Sequence, residues 1–259
     1  MAHIPRKRFG QHFLSHDGII HHLVRAIDPR PQDRLVEIGP GLGALTEPLL
    51  AHARHLTVIE LDRDLAAHWR AHPEAARLTV VEGDALDFDF SALGQDLRLV
   101  GNLPYNISTP LLFHLATFSP QLRDAHFMLQ KEVVDRMVAE PATRDYGRLS
   151  VMLQYLFHME GLMDVPPEAF TPPPKVMSRV VRLIPKREAE RHALDESRFA
   201  FLVAQAFSQR RKMLRSTLKG QVPEAVFAKL GIDSGRRAET LTLEEFVGLS
   251  NESPGPEPS

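Results

Sequence analysis

Four short strand-like runs close on a glycine, an acid or an amide at nearly even spacing, and this rhythm constrains the fold more than any other feature. The runs are Arg34–Ile38, Leu56–Glu60, Leu78–Glu82 and 97–100. The residues that close them, Gly39, Glu60, Asp84 and Asn102, stand 21, 24 and 18 apart. That is too far for hairpins and suits parallel crossovers, which need a dozen or more residues. Leu- and Ala-rich stretches of helical period, 44–52 and 63–71, lie in the gaps. The pattern predicts βαβ units and a parallel sheet. Further strands are expected at 125–129, 154–159 and 176–183, the last two flanking a Pro-rich loop from Val165 to Lys175.

Beyond Pro185 the strand signal stops. Helices are expected at 199–207, 210–219, Glu224–Leu230 and 242–249, with Gly220 and Gly231 as stops. A boundary is therefore expected at 185–190, giving domains over 1–187 and 188–250 and a disordered tail, 251–259, with nothing to bury. The chain of 259 residues has no cysteine, which removes disulfides, thiolate catalysis and Cys-ligated zinc. No apolar run reaches the roughly 18 residues of a membrane span, and no apolar segment follows the basic N-terminus, so a cytoplasmic protein is expected, with no membrane partner. His12/His16 and His68/His72 have i,i+4 spacing without the Glu of a His-Glu-x-x-His metal site, so they are read as polar helix surface and no metal is expected.

Val36-Glu-Ile-Gly-Pro-Gly-Leu-Gly-Ala44 closes the first run and opens a helix. Its glycines allow a sharp turn and a close approach to a ligand at the C-terminal edge of a parallel sheet. The segment satisfies both the dinucleotide fingerprint and the Glu-x-Gly-x-Gly-x-Gly pattern of S-adenosylmethionine enzymes. In either case Gly39 and Gly41 approach the ligand, and Glu60 can accept from both ribose hydroxyls. Asp84, in Glu82-Gly-Asp-Ala85, can accept from an adenine amino group, although Gly-Asp is also ordinary turn chemistry.

Gly101-Asn-Leu-Pro-Tyr-Asn106 decides between the two ligands. A nicotinamide dehydrogenase has no use for an amide, a proline and an aromatic ring at a strand end. Methylation of an exocyclic amine does. The adenine N6 lone pair is delocalised into the ring, so the amine is a poor nucleophile. Two acceptors aimed at its hydrogens favour a tetrahedral nitrogen. The Asn102 side-chain oxygen supplies one, and the Leu103 carbonyl, stiffened by Pro104, supplies the other. Tyr105 can stack on a base taken out of its helix or loop.

Six motifs, in order over residues 6–250, then resemble one family. They are Arg6-Lys-Arg-Phe-Gly-Gln-His-Phe-Leu14, Val36-Glu-Ile-Gly-Pro-Gly-Leu-Gly43, Val58-Ile-Glu-Leu-Asp62, Gly101-Asn-Leu-Pro-Tyr-Asn-Ile-Ser-Thr109, Phe170-Thr-Pro-Pro-Pro-Lys-Val176 and Phe207-Ser-Gln-Arg-Arg-Lys212. They are similar to those of the bacterial small-subunit ribosomal RNA adenine dimethyltransferases. The resemblance implies a Rossmann-like S-adenosylmethionine-dependent methyltransferase domain with a mostly parallel seven-stranded sheet, carrying a basic N-terminal arm over 1–16. It implies a small C-terminal all-helical RNA-binding domain. It implies two methyl groups on N6 of each of two adjacent adenosines in the 3′-terminal hairpin of small-subunit RNA, during ribosome biogenesis. It implies cofactor contacts at His12, Leu14, Gly39, Glu60, Asp84 and Asn102, and Phe170 facing the target base opposite Tyr105. Relatives usually carry Asn where this chain has His12, and imidazole cannot both donate and accept in the geometry of an amide.

The net charge of −2 hides a strong segregation. Residues 1–16, 171–187 and 205–220 together hold 13 positive charges and no acid, whereas 55–96 hold nine acids and three Arg. The basic stretches lie beside the motifs and are read as a phosphate-tracking surface, with Arg210, Arg211 and Lys212 gripping RNA. The partner is then small-subunit RNA or the immature 30S subunit, and a monomer is expected. The alternatives are a methyltransferase acting on DNA or a protein glutamine, whose enzymes often use Asn-Pro-Pro-Tyr, and a non-enzymatic assembly or transcription factor on the same fold.

Overall fold

The computed structural model describes residues 12–253. Arg6, Lys7 and Arg8 of the basic arm, and residues 254–259 of the expected tail, lie outside the described residues. The chain divides into two compact units. The first takes in the described residues up to Val134 together with Met159–Pro185, and the second takes in Asp135–His158 and the residues from Lys186 onward.

The first unit contains β1 (Phe13–Leu14), α1 (Asp17–Ile27), β2 (Arg34–Ile38), α2 (Thr46–Leu50), β3 (Leu56–Glu60), α3 (Arg63–Arg70), β4 (Leu78–Glu82), β5 (Leu97–Asn102), α4 (Ser108–Ala116) and β6 (Leu122–Gln130). After α5 (Lys131–Met137) and α6 (Arg148–Leu156) the chain returns as β7 (Phe157–Val165), β8 (Phe170–Thr171) and β9 (Ser178–Pro185). Seven strands form one sheet in the order β4-β3-β2-β5-β6-β9-β7. The pairs from β4 to β6 are parallel, and β9 runs antiparallel to β6. The strand order therefore reverses at β2, the topological switch point beside which ligands bind in such sheets. The strands are buried on both faces and largely apolar, as a sheet covered by helices requires. Leu23 and Ile27 of α1, Leu49 of α2 and Trp69 of α3 close over one core with Leu35, Val58 and Val100.

At the N-terminal ends of the strands the buried Arg98 places its guanidinium on Asp33 at 2.6 Å and Asp124 at 2.8 Å, and on the carbonyls of Ile27 and Asp28. A buried cation is tolerated when its donors are occupied in this way. Burial opposes charge on Asp33, yet the Arg30 amide and the guanidinium groups of Arg98 and Arg123 hold its carboxyl below the usual carboxylate range.

The second unit is helical. It contains α6, α7 (Glu196–Ala206), α8 (Leu214–Thr217), α9 (Glu224–Leu230) and α10 (Leu243–Glu252). Its core joins Val151 and Tyr155 of α6 to Phe199, Leu202 and Val203 of α7 and to Phe246 of α10. Residues 135–158, expected within a domain spanning 1–187, thus fall in the helical unit, because α6 buries its apolar side there. The strand expected at 154–159 is corrected in the same way: α6 continues to Leu156 and the strand starts at Phe157. The helix expected over 210–219 forms only at Leu214–Thr217. Residues 251 and 252, expected in the tail, end α10 instead. Among the described residues no helix is long and apolar enough to cross a membrane.

Candidate functional site

The C-terminal ends of four adjacent parallel strands and the short β1 strand enclose one cavity in the first unit. Its lining comes from His12–Leu14, the loop after β2, the end of β3, Gly83–Ala85 after β4 and residues 102–107 after β5. His12, Leu14, Gly39, Gly41, Glu60, Asp84, Asn102, Leu103, Pro104 and Tyr105 all line it, so the structure brings these expected residues together.

The loop after β2 owes its path to its glycines. Gly39, Gly41 and Gly43 have φ of 68°, 55° and 94°, a region that side chains with a Cβ rarely enter. A Cβ on Gly43 would lie 2.6 Å from the ring of Trp69, whose indole Nε1 donates to the Gly41 carbonyl at 3.0 Å. The buried indole therefore braces the loop from below. Gly101 is required for a different reason: a Cβ there would meet the Ile38 carbonyl at 2.6 Å.

Three carboxylates face the cavity. Glu60, 6% exposed, accepts from the amides of Gly41 at 3.2 Å and Asp62 at 2.9 Å. Burial raises its carboxyl, and these two amides oppose the rise. Asp84 accepts from the Leu86 amide through Oδ1 at 2.9 Å. Glu37, at the floor, is pushed up to about 8 by burial, against the Thr46 hydroxyl that donates to it at 2.7 Å, with the Glu60 charge adding to the rise. No Lys or Arg lines the cavity among the described residues. This lining of acceptors, with no such basic side chain, disfavours the pyrophosphate of a dinucleotide and suits a cationic ligand whose ribose hydroxyls donate. Leu42 and Leu61, about half exposed, add apolar surface at the rim. The residues present therefore fit S-adenosylmethionine, a sulfonium with an adenosine body.

After β5 the main chain turns through Leu103, whose amide donates to the Met128 carbonyl at 3.1 Å. The Asn102 amide donates through Nδ2 to the His12 carbonyl at 2.9 Å, which orients its Oδ1 away from that bond as an acceptor. The Pro104 carbonyl is engaged by the Ser108 hydroxyl at 3.0 Å and the Ile107 amide at 3.2 Å. Tyr105 is anchored by its hydroxyl, 2.5 Å from that of Ser178, and burial pushes that hydroxyl up.

Phe170 is placed differently from the expectation. It is 3% exposed, sits opposite Leu14 in the β1–β8 pair and packs into the core, so it does not line the cavity. Its strand carries the polar Thr171 outward instead. His12 and His16 are not a helical pair: His12 precedes β1, and His16 is the N-cap of α1, accepting from the Ile19 amide. His68 and His72 flank Trp69, and His72 bonds Glu47 at 2.9 Å. Glu37, Trp69 and Ser178 join the site in the structure without a role assigned by the sequence. Glu37 opens the glycine motif and was legible there; Ser178 and Trp69 are far from it in sequence and carry no local signal.

The basic stretches are partly neutralised. Arg179 pairs with Asp164, Arg182 with Glu160 at 2.6 Å and Arg187 with Glu190 at 3.1 Å. In the second unit Arg210 lies 3.8 Å from Glu239 and donates to the Arg144 carbonyl, while Arg211 and Lys212 are exposed.

Comparison with known proteins points to one family. The family model of ribosomal RNA adenine dimethylases matches residues 2–253. The ribosomal RNA small subunit methyltransferase A of Thiobacillus denitrificans is 62% identical over 248 residues, covering 96% of this chain and 97% of that protein. That of Laribacter hongkongensis is 63% identical over 251 residues, with 96% of each covered. Among solved structures, a dimethyladenosine transferase from Plasmodium falciparum superposes with a TM-score of 0.80 at 29% identity, covering 92% of this chain and 96% of the other. The 23S ribosomal RNA methyltransferase ErmE superposes with a TM-score of 0.71 at 27% identity, covering 92% and 98%.

Proposed function

Since the chain belongs to the ribosomal RNA adenine dimethylase family, we propose that it places two methyl groups on N6 of each of two adjacent adenosines in the 3′-terminal hairpin of small-subunit RNA, acting as a monomer on the immature 30S subunit in the cytoplasm. The observation that supports this reading best is the fixed amide of Asn102, tied through Nδ2 to the His12 carbonyl beside the anchored ring of Tyr105.

S-adenosylmethionine, when bound, supplies an electrophilic methyl group. Glu60 would hold its ribose hydroxyls, Asp84 its adenine amine, and the main chain at Gly39 and Gly41 would pass close beneath it, with Leu14 and the main chain of His12 completing the wall. The Asn102 oxygen accepts one hydrogen of the target amine. With the Pro104 carbonyl engaged elsewhere, the Leu103 carbonyl takes the other. Both acceptors favour a tetrahedral nitrogen, and being fixed in advance they need little reorganisation during reaction. Tyr105 offers its ring to the flipped base, for which stacking contributes about 1–3 kcal/mol. Phe170, buried behind Leu14, supports the β1–β8 pair at the edge of this slot. No general base is needed before attack, because the amine becomes acidic once alkylated. Arg211 and Lys212, with Arg210 beside them, would meet RNA phosphates from the helical unit.

The test is to incubate the protein and labelled S-adenosylmethionine with unmodified small subunits, naked RNA, DNA and a protein acceptor, then digest and look for dimethyladenosine. Label in two neighbouring adenosines of the RNA is expected, with turnover nearly abolished and cofactor binding partly retained in Asn102→Ala. Label only in DNA or protein refutes the reading, and no label anywhere favours a binding role in assembly.

A further inference from the structure

The proposed mechanism leaves the side chain of His12 without a task, yet this residue touches Asn102, Tyr105 and the Pro-rich loop. Its main-chain carbonyl holds the Asn102 amide. Its ring stacks on that of Tyr105, with centroids 5.7 Å apart and planes 25° from parallel. Its Nδ1 lies 2.8 Å from the carbonyl oxygen of Pro172, in the loop that follows Phe170. A carbonyl only accepts, so Nδ1 donates and carries the ring proton, and Nε2 is the nitrogen left out of that bond.

These contacts do different work. The bond to Ser178 fixes the far end of the Tyr105 ring but does not set the rotation of the ring about its long axis. The imidazole against its face removes this freedom only if it is itself held, and the bond to Pro172 holds it. The Pro-rich loop, Tyr105 and Asn102 are thus linked through one residue, 90 positions before Asn102 and 160 before Pro172.

We propose that the His12 side chain is a positioning residue for the target base, fixing the face of Tyr105 through its tether to Pro172, and that it is not a ligand of the cofactor. The proposal rests on the methyltransferase reading above. It makes a distinction between two halves of the imidazole. Asparagine can place a donor about where Nδ1 stands and lay its planar amide against the Tyr105 face, and so keeps the tether and a flat contact without the ring. Phenylalanine keeps a ring and loses the tether.

The experiment compares the parent with His12→Asn, His12→Phe and His12→Ala. It measures kcat and KM for RNA, calorimetric affinity for S-adenosylmethionine, thermal melting, and the ¹⁵N spectrum of histidine-labelled protein. In the parent one imidazole is expected as the Nδ1–H tautomer, and its signal disappears in His12→Asn. His12→Asn should retain kcat within about threefold, while His12→Phe and His12→Ala lose about tenfold or more, since small misplacements at a reacting centre are costly. All variants should bind the cofactor within about twofold of the parent and melt as one transition. Loss of cofactor affinity in step with turnover would make His12 a cofactor ligand instead. Parental turnover in His12→Phe, or an Nε2–H tautomer at this residue, would remove the tether from the argument. If the parent methylates no RNA adenosine, the methyltransferase reading fails, and the tautomer still reports whether the tether exists.

Discussion

The hydroxyl of Tyr105 stands 2.5 Å from that of Ser178, a residue 73 positions further along the chain and fully buried at the start of β9. The sheet order brings them together, because β9 lies against β6, which in turn lies against β5. An aromatic ring in a strand-end loop is thereby referred to the antiparallel edge of the sheet.

Tyr105→Phe keeps the ring and leaves the Ser178 hydroxyl without this partner, a loss of about 1–3 kcal/mol in stability for a buried group. Its kcat/KM for RNA should stay within about fivefold of the parent. Tyr105→Ala removes the stacking surface and should cost roughly tenfold to a hundredfold in kcat/KM, following the ~1–3 kcal/mol of base stacking. Cofactor affinity should be unchanged in both. Steady-state kinetics and calorimetry separate these outcomes, and a Tyr105→Ala enzyme with parental kcat/KM would contradict the stacking role.

The glycine loop and Trp69 should be energetically coupled. Gly43→Ala meets both a φ of 94° and the indole ring 2.6 Å away, so it should destabilise by about 1–3 kcal/mol and weaken cofactor binding. In a Trp69→Phe background the smaller ring leaves room, and the same change should cost less. A double-mutant cycle by urea unfolding measures this, and additive costs would show that the indole does not brace the loop.

Two buried groups give opposite pH dependences. Burial raises the Glu37 carboxyl to about 8, above its ordinary 4.5, so the unfolded chain holds fewer protons between these values and stability falls as pH rises through them. Burial lowers His126 to about 4 from 6.5, so stability falls as pH drops through that window. His126 is 2% exposed and neither ring nitrogen has a hydrogen-bond partner among the described residues. Glu37→Gln should therefore raise the melting temperature more at pH ~8.5 than at pH ~5. His126→Leu should raise it more at pH ~5. Melting at the two pH values decides both, and equal gains at the two would contradict the assigned shifts.

In the helical unit Arg211→Glu and Lys212→Glu should each flatten the salt dependence of RNA binding by about one unit of log–log slope, the signature of a lost phosphate contact. Arg210→Glu should change it less, because its guanidinium is already engaged by Glu239 and the Arg144 carbonyl. Filter binding across a salt series gives the slopes, and unchanged slopes would place the RNA elsewhere.

The parallel half of the sheet was legible because each strand there ends in a residue that must turn. Arg34–Ile38, Leu56–Glu60 and Leu78–Glu82 are observed residue for residue, and the loops that follow them line the cavity. The junction at Leu156–Phe157 was not legible. The mostly apolar run 149–157 crosses from helix to strand without a Gly or Pro between them, and periodicity cannot mark a boundary inside such a run. Helix α1 was hidden by Gly18 and the His21–His22 pair, although His16 caps it. The β1–β8 pair joins two-residue strands some 156 residues apart, and a local pattern cannot report a contact of that range. This also explains Phe170: its motif was readable, whereas its burial depends on a strand pairing that was not.

The chain leaves the sheet-bearing unit at Val134, returns at Met159 and leaves again at Pro185. Modularity here is spatial and not linear. A chain cut at Pro185 would keep α6 but lose α7 and α10, stranding the apolar side of Val151 and Tyr155 in water. Exchange of the helical unit between relatives therefore requires three simultaneous crossovers, near residues 135, 159 and 186. Drift in either segment is answerable to the other, so the core of the helical unit is inherited as two separated pieces of sequence.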